Sequence, residues 1–263
     1  MTRRYFIQLA YKGTNYHGWQ IQNNAKTVQG TLNKAFSTVL REKIEVIGAG
    51  RTDTGVHASF FVAHFDTQQQ LDTKALTKKM NSFLPADIAI HKIFEVKHGL
   101  HSRFDAISRT YKYFIHLKPN PFINDLSFYL YWKPDVDKMQ QAADTLFEYK
   151  DFKAFSKAHS GVKTYICEIY KAQWNVDNDK LVFTIKANRF LRNMVRAIVG
   201  TLLEVGKGKL SVDDFRRIIE IRDRRAASVS AAPQGLYLTN IEYPDSIESH
   251  LDKNYNIFWN EPI

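Results

Sequence analysis

The sequence predicts an α+β fold, in which strands and helices follow one another without a regular βα repeat. The chain has 263 residues, enough for one large domain or two of ordinary size, and 44% of them are hydrophobic, which supports a packed core. Hydrophobic periodicity in the first half predicts the order strand, helix, strand, strand, helix, strand, which is ferredoxin-like. A looser succession of strands and helices follows. We therefore expect two domains, residues 1–104 and 105–263.

The elements of the first half are predicted from apolar spacing and from residues that begin and end helices. Thr27 can cap a helix whose apolar side chains recur at helical spacing as far as Leu40. A second helix is predicted over residues 73–84, because Pro85 cannot continue it. The predicted strands cover residues 4–10, 44–49, 60–65 and 88–96.

The second half shows the same kinds of signal. Ser211 and Asp214 have the spacing of a capping box at the start of a helix. A broad apolar arc over residues 190–204 predicts a long, mostly buried helix, and another helix is predicted over residues 137–147. The predicted strands cover residues 109–117, 165–174, 180–187 and 235–243, with a turn at residues 175–179.

Charge and cysteine content narrow the classes of function. The chain carries 37 basic and 27 acidic side chains, for a net charge of +10, which favours a polyanionic partner such as nucleic acid. Its single cysteine, Cys167, excludes an intramolecular disulfide, fits a reducing cytosol and argues against a thiolate zinc site. The sequence has no H-E-x-x-H metal motif, no phosphate-binding glycine loop and no nucleophile elbow.

The most informative stretch is residues 48–58, Gly-Ala-Gly-Arg-Thr-Asp-Thr-Gly-Val-His-Ala. It places one carboxylate, Asp53, in a glycine-bracketed turn two residues after Arg51. If the preceding strand continues through Thr52, the two side chains share a face, because residues two apart in a strand do so. An ordinary turn with a surface ion pair would have the same short pattern.

The longer string resembles the active-site segment of the TruA family of tRNA pseudouridine synthases, A-G-R-T-D-x-G-V-H-A, and matches it from Ala49 to Ala58. By this resemblance Asp53 is the catalytic aspartate and Arg51 pairs with it. The resemblance extends over about residues 5 to 243. It implies the pseudouridine-synthase fold, two ferredoxin-like halves around a shared, mostly antiparallel sheet with helices outside.

A second arginine is expected beside the same carboxylate. On the predicted helix over residues 190–204, Arg189, Arg192 and Arg196 lie within about 60° of one another, at the edge of the apolar arc. The segment 194–200 resembles the family pattern M-V-R-x-I-V-G, whose arginine approaches the catalytic aspartate. We therefore predict that Arg196 flanks Asp53, which would then be ionised at neutral pH, since nearby opposite charges lower the pKa of a carboxylate.

The segment 103–113 resembles the family pattern R-F-x-A-x-x-R-x-Y-x-Y. On a strand, Arg109, Tyr111 and Tyr113 share a face. Two core tyrosines would explain that pattern without any ligand. By resemblance Tyr111 is the active-site tyrosine on which the flipped uracil stacks, an interaction worth about 1–3 kcal/mol per base. Whether Tyr111 also relays the proton lost from C5 stays open.

The remaining candidates are expected to contact substrate. Residues 11–22 resemble the family's Y-x-G-x-x-(aromatic)-x-G-W-Q-x-Q, and the alternative is a structured loop that packs its tryptophan on the core. The substrate-binding set comprises Tyr111, Leu236, Trp19, Gln20, Gln22, His57, Arg109, Arg189 and Arg192. Phosphate contacts are predicted for Lys150, Lys153, Lys157, Lys163, Lys207, Lys209, Arg216, Arg217, Arg222, Arg224 and Arg225. The chain departs from the pattern at Phe60-Phe61, where the family often has Gly-Gln, and at Arg189 and Arg192, which are often less basic.

The resemblance implies isomerisation of uridine to pseudouridine at positions 38, 39 and 40 of the tRNA anticodon stem-loop. Asp53 either attacks C1′ of the ribose or removes the 2′ proton. The reaction needs no cofactor and no metal. The family also implies a cytoplasmic homodimer that binds one tRNA. The alternative is a non-catalytic RNA-binding protein with ferredoxin-like sheets, and a glycoside hydrolase is disfavoured because no second carboxylate is placed.

Overall fold

The computed structural model describes residues 2–158 and 161–253, and the chain divides into two compact units. Within those residues, the first unit contains the chain up to Ile107 and again from Leu238 onward, and the second is Ser108–Tyr237. The predicted second domain, residues 105–263, included the returning segment from Leu238. No helix in the described part of the chain has the length and apolar character needed to cross a bilayer.

The strands are β1 (Arg3–Tyr11), β2 (Ile47–Gly48), β3 (His57–Thr67), β4 (Ile88–Val96), β5 (Ser108–His116), β6 (Phe128–Tyr129), β7 (Ile169–Asp177), β8 (Lys180–Ala187) and β9 (Leu236–Glu242). The α-helices are α1 (Val28–Leu40), α2 (Thr73–Phe83), α3 (Val136–Asp144), α4 (Met194–Gly206), α5 (Val212–Ile221) and α6 (Asp245–Glu248). Antiparallel pairing dominates among the strands of the described residues, and β6 joins its neighbour β5 in parallel. The predicted α+β class with a mostly antiparallel sheet is confirmed.

The first unit follows the predicted strand–helix order. Its strands pair in the order β4-β1-β3, with β2 beside β3, and β9 lies next to β3. The chain from Leu238 onward, which carries most of β9, belongs to this unit. Thr27 caps α1 as predicted, because its hydroxyl accepts a hydrogen bond from the backbone N–H of Gly30 at 3.2 Å.

The predicted strand over residues 44–49 is wrong except at Ile47–Gly48. Backbone N–H groups before β2 are satisfied by side chains of α1 instead of by a neighbouring strand. The Ser37 hydroxyl accepts from Ile44 N, and the side-chain Oδ1 of Asn33 accepts from Val46 N, each at 2.9 Å. A segment that gives its donors to side chains cannot use them in a strand ladder.

The two faces of the sheet in the first unit are covered differently. On one face, Phe65 packs on Phe36 of α1, with ring centroids 4.8 Å apart. On the other face, the C-terminal segment crosses the strands, and the side-chain amide of Gln8 exchanges two hydrogen bonds with the main chain of Asp252, at 2.6 and 2.8 Å. The ring of His250 stacks on Phe94 at 5.1 Å.

In the second unit, the strands pair in the order β5-β8-β7, and α3 contacts both α4 and α5. The predicted capping box is confirmed, since Ser211 and Asp214 each bond the other's backbone N–H. The predicted helix start at Phe190 is wrong. Asn193 adopts a left-handed conformation with φ of 66°, so α4 begins only at Met194.

Candidate active site

Asp53 lies in the loop between β2 and β3, in the first unit. Its side chain is partly buried, and that of Arg51 is exposed. The Asp53 carbonyl accepts a hydrogen bond from Val56 N at 3.1 Å, which closes a turn, and Gly55 adopts the left-handed conformation that this turn requires, with φ of +76°. The loop therefore has one defined shape around the carboxylate.

The strand argument that put Arg51 and Asp53 on one face does not hold. β2 ends at Gly48, and the residues from Arg51 to Asp53 belong to no strand. The alternation of side chains along a strand therefore does not determine whether Arg51 and Asp53 lie on the same side. What positions Asp53 is the loop that packs against it from the N-terminal part of the chain.

Residues 11–19 brace the Asp53 loop through its main chain. Trp19 N donates to the carbonyl of Thr52 at 3.2 Å, and Gly55 N donates to the carbonyl of Tyr16 at 3.2 Å. Gly18 has φ of +82°, and a Cβ there would lie 2.4 Å from the Thr52 carbonyl oxygen. The backbone on both sides of Asp53 is thereby fixed, and only glycine fits at the closest approach.

A buried pair of hydroxyls completes this brace. The hydroxyl oxygens of Tyr11 and Thr52 lie 2.9 Å apart, and both residues are buried. Thr52 directly precedes Asp53. A hydrogen bond in such a site contributes about 1 kcal/mol, and the cost of leaving either hydroxyl unpaired is larger.

Trp19 is a core residue in the structure. It is 2% exposed, and its ring stacks on Phe61 with centroids 4.2 Å apart. Trp19 therefore packs on the core, which is the alternative that the sequence left open beside an RNA contact. Gln20 and Gln22 are exposed on the same loop, where the Gln22 amide donates to the carbonyl of His17 at 2.8 Å.

Phe60 and Phe61, the departure from the family pattern, line two different environments. The ring of Phe61 contacts Trp19 and the ring of Tyr11, at 4.2 and 5.5 Å. The ring of Phe60 lies beneath the Lys253 ammonium, 4.5 Å from the ring centroid. Both phenylalanines are buried, so they shape the support of the loop from within the unit.

His57 is also buried, at 1% exposure. Its Nδ1 accepts a hydrogen bond from Gly13 N at 3.0 Å, which ties the start of β3 to the bracing loop. This structural role is distinct from the substrate contact that was expected.

A second anchor of the bracing loop was not predicted from the sequence. The Tyr16 hydroxyl donates to Asp87 Oδ1 at 2.5 Å, and the Lys26 ammonium lies 4.6 Å from the centroid of the Tyr16 ring. Burial, together with the Asp87 carboxylate, raises the pKa of Tyr16 above its usual range. Tyr16 and Asp87 are 71 positions apart in the chain, so no local pattern indicates this contact.

In the second unit, the candidate tyrosine is supported by another ring. Tyr111 lies on β5 and is partly buried, and the ring of Phe190 meets it at 90° with centroids 5.2 Å apart. Edge-to-face pairs of this kind hold ring orientation. Arg109, on the same face of the strand, donates from Nη1 to the carbonyl of Asn188 at 3.0 Å.

Arg196 lies in the first turn of α4 and is partly buried. Its Nε donates to the Ala231 carbonyl at 2.7 Å, and Ala231 N donates back to the Arg196 carbonyl at 2.8 Å. Burial raises the pKa of Tyr113 above its usual range, and the charge of Arg196 opposes that rise. The Tyr113 hydroxyl donates to the carbonyl of Ala232 at 2.9 Å, and Ala232 follows the residue to which Arg196 donates.

Arg189 and Arg192 precede α4 instead of lying on it. Arg192 is exposed, and its carbonyl accepts from Lys157 N at 3.0 Å. Arg189 lies close enough to Cys167 to oppose the effect of burial, which raises the pKa of that thiol to about 11. Leu236, at the start of β9, is 4% exposed.

Several basic side chains expected to contact phosphates are neutralised within the protein. Ion pairs join Arg216 to Glu148, Arg222 to Asp151, Arg225 to Asp223 and Lys209 to Glu204. The number of basic side chains at these positions therefore overstates the positive charge that they offer to a polyanion.

The candidate residues fall into two groups. Asp53, Arg51 and the loop that braces them belong to the first unit, while Tyr111 and Arg196 belong to the second. The pairing of Arg196 with Asp53 stays a prediction. Among the described residues, no group of three or more His, Cys, Asp or Glu side chains is arranged to hold a metal ion.

Comparison with known sequences identifies the class of protein. The sequence model of the tRNA pseudouridine synthase family matches residues 8–105 and 142–244, and the chain belongs to this family of isomerases. Among its relatives, the protein named tRNA pseudouridine synthase A from Bacteroides thetaiotaomicron is 54% identical over 254 residues, covering 95% of this chain and 94% of the relative.

Two further relatives carry the same name. The protein from Bacteroides fragilis is 55% identical over 247 residues, which cover 93% of this chain and 98% of the relative. The one from Azobacteroides pseudotrichonymphae is 51% identical over 244 residues, with the same coverages of 93% and 98%. These likenesses favour an enzyme over a non-catalytic RNA-binding protein.

Proposed function

We propose that this enzyme isomerises uridine to pseudouridine in tRNA, at positions 38, 39 and 40 of the anticodon stem-loop, with Asp53 as the catalytic residue. The observation that carries the proposal is the Asp53 loop itself. It bears the string that resembles the family's active-site segment. Main-chain hydrogen bonds from Trp19 N to Thr52 and from Gly55 N to Tyr16 hold it on both sides of the carboxylate. Such preorganisation is what a group needs in order to meet one ribose carbon.

The reaction exchanges one bond to the base for another. Asp53 either attacks C1′ or removes the 2′ proton, and the C1′–N1 bond breaks in both routes. The uracil then rotates and C1′ bonds to C5, while the bond between Asp53 and C1′ breaks in the first route or the proton returns to C2′ in the second. The proton leaves C5 and N1 gains a proton. No atom is added to or removed from the nucleoside overall, so one well-placed carboxylate can serve the reaction.

The role of the two arginines is electrostatic. Arg51 and Arg196 flank the carboxylate, and their positive charges attract its negative charge and help to aim it at the ribose. Partial burial of Asp53 strengthens such interactions relative to those in bulk water.

Tyr111 provides the surface on which the flipped uracil stacks, and Leu236 forms a wall of the same pocket. The edge of the Phe190 ring supports Tyr111 and fixes its orientation. Arg109, Arg189, Arg192, Gln20 and Gln22 contribute polar contacts to the RNA. A stacked uridine must leave the helix before it can be reached, and an aromatic surface repays part of that cost.

The enzyme acts as a homodimer in the cytoplasm, on one tRNA at a time. Support for the location comes from the substrate class of the family, together with a single cysteine that is buried.

The proposal is tested with unmodified tRNA transcripts. The wild-type protein and Asp53→Asn are incubated with the transcripts, and pseudouridine is mapped by position. We expect modification at positions 38 to 40 by the wild type, none by the variant, and similar tRNA affinity for both. Modification by Asp53→Asn at the wild-type rate would contradict the assignment of the catalytic residue, and modification elsewhere in the tRNA would contradict the positions.

A further inference from the structure

One exposed phenylalanine in the first unit differs from an ordinary surface side chain. Phe104 is 74% exposed, in the segment between β4 and β5. Single apolar side chains on a protein surface are common and by themselves mean little. What distinguishes Phe104 is that its ring is held in place from the core outward.

Four rings form a column from the sheet to the surface. Phe6 and His64 face each other on β1 and β3 and stack at 5.7 Å. The ring of His101 meets His64 at 4.6 Å, and Phe104 meets His101 at 4.2 Å. Phe6 and His64 are buried, so the column ends in a ring whose surface is open to solvent.

The turn that carries Phe104 is closed by its own hydrogen bonds. His101 Nδ1 accepts from Arg103 N at 3.1 Å and from Phe104 N at 3.4 Å. Asp105 Oδ2 accepts from His101 N at 2.7 Å. The His101 ring is therefore oriented by the same turn that it supports, and Phe104 projects from a fixed base.

This turn is attached to the strand that leads to the catalytic loop. The buried Ser102 hydroxyl donates to the carbonyl of Ile47 in β2 at 3.0 Å. Asp53 follows Ile47 by six positions, a span of at most about 20 Å at full extension. Stacked bases are about 3.4 Å apart along a strand, so this span corresponds to at most about six stacked nucleotides.

Charge next to the ring favours a nucleic acid. The Arg103 guanidinium carbon lies 5.7 Å from the centroid of the Phe104 ring, and the Arg103 side chain is exposed. A planar cation beside an aromatic face is the combination that binds unpaired nucleotides, with the ring under the base and the charge near the phosphate.

We propose that Phe104 is a stacking platform for a base of the tRNA that flanks the target uridine, and that Arg103 contacts the adjoining phosphate. This inference rests on the proposed function, because it takes the substrate to be tRNA. It adds a binding residue outside the groups assigned to the chemistry. A base held there extends the column by one ring and fixes the strand while the neighbouring uridine leaves the helix.

The test compares side chains of similar size with and without a ring. Phe104→Leu keeps an apolar side chain and loses stacking, and Phe104→Trp keeps stacking. Phe83→Leu is the matched control, since Phe83 is a 50% exposed phenylalanine of the same unit at the end of α2. Each substitution is made in wild type and in Asp53→Asn, so that binding is measured without turnover.

The probe is an anticodon stem-loop with 2-aminopurine placed in turn at each nucleotide around the target. We expect the unsubstituted protein and Phe104→Trp to quench fluorescence at one flanking position, and Phe104→Leu to lose that quenching. The Kd of Phe104→Leu should rise about 5- to 150-fold, which corresponds to the loss of one stacked base. Phe83→Leu should bind and quench as the unsubstituted protein does.

Three results would overturn the proposal. The first is unchanged quenching and Kd in Phe104→Leu while the wild type still forms pseudouridine, which leaves the proposed function intact. The second is a changed oligomeric state in Phe104→Leu with unchanged RNA binding, which would make this surface a protein contact. The third is a wild-type protein that neither binds nor modifies tRNA, in which case the proposed function falls as well.

Discussion

The hydroxyl oxygens of Tyr11 and Thr52 lie 2.9 Å apart in the core of the first unit, and Thr52 is the residue directly before Asp53. We expect Thr52→Val, which has nearly the same shape but no hydroxyl, to leave the Tyr11 hydroxyl buried without this contact and to let the loop shift. The kcat for pseudouridine formation should fall about 10- to 100-fold, since misplacement by 1 Å can have effects of that size. The KM for tRNA should change little, because tRNA binding involves many other contacts.

Thr52→Ser separates positioning from general loss of structure. It keeps the hydroxyl, so kcat should return to within about threefold of the wild-type value. Thermal unfolding of both variants is followed in parallel. A Thr52→Val protein that is folded and has wild-type kcat would show that the hydroxyl pair does not position Asp53.

The Phe61 ring should be one of the larger contributors to stability in this unit. It is fully buried and contacts both Trp19 and Tyr11. Phe61→Ala removes those contacts and leaves a cavity, which costs about 3–5 kcal/mol in comparable cores. Urea unfolding gives the free energy directly. Phe83→Ala, an exposed position, should cost less than about 1 kcal/mol, and equal losses at the two sites would contradict the assigned packing.

The parts of the fold that sequence predicted well are those set by nearby residues. The bounds of β4 (Ile88–Val96) and β8 (Lys180–Ala187) match the predicted strands, and the caps at Thr27 and Ser211 depend on groups three residues away. The prediction failed at β2 and at the start of α4. In both places the outcome depends on contacts with another element or on one left-handed residue, Asn193, which periodicity does not detect.

The candidate site shows the same division. The string around Asp53 is contiguous and could be recognised from sequence. The contacts that support this loop are not local. Tyr11 and Thr52 are 41 positions apart in the chain, and Tyr16 and Asp87 are 71 positions apart. A tryptophan in a polar loop is equally consistent with an RNA contact and with a core position, and only the stack of Trp19 on Phe61 distinguishes the two.

His64 should make the stability of the protein fall in mild acid. Burial, followed by the positive charge of Arg4, lowers the pKa of His64 to about 3. In the unfolded chain a histidine titrates near 6.5. Between these pH values the unfolded state binds the proton and the folded state does not. The contribution of His64 to the free energy of unfolding is therefore complete above about pH 6.5 and decreases as the pH falls. The loss from this group is about 1.4 kcal/mol per pH unit.

The measurement is the free energy of unfolding in urea at intervals from pH 7 to pH 4.5, for wild type and His64→Gln. The variant lacks the titrating ring, so its free energy of unfolding should fall less steeply with decreasing pH, by about 1.4 kcal/mol per pH unit. The difference contains the His64 ring together with its effect on the neighbouring His101 ring, 4.6 Å away, while more distant histidines contribute equally to both proteins. Parallel curves for the two proteins would show that His64 is not the group responsible.

The hydroxyl of Tyr111 and its ring should have separable effects. The ring is oriented by Phe190 at 5.2 Å, so Tyr111→Phe keeps a stacking surface in the same place. We expect this variant to bind tRNA with a Kd within about twofold of wild type and to lose about 100-fold or more in kcat, the range for a group that moves a proton. Tyr111→Leu should weaken both binding and turnover, because it also loses the stacking of the base, which is worth about 1–3 kcal/mol. If Tyr111→Phe turns over at the wild-type rate, the hydroxyl takes no part in removing the proton from C5, and the tyrosine serves only as the surface beneath the base.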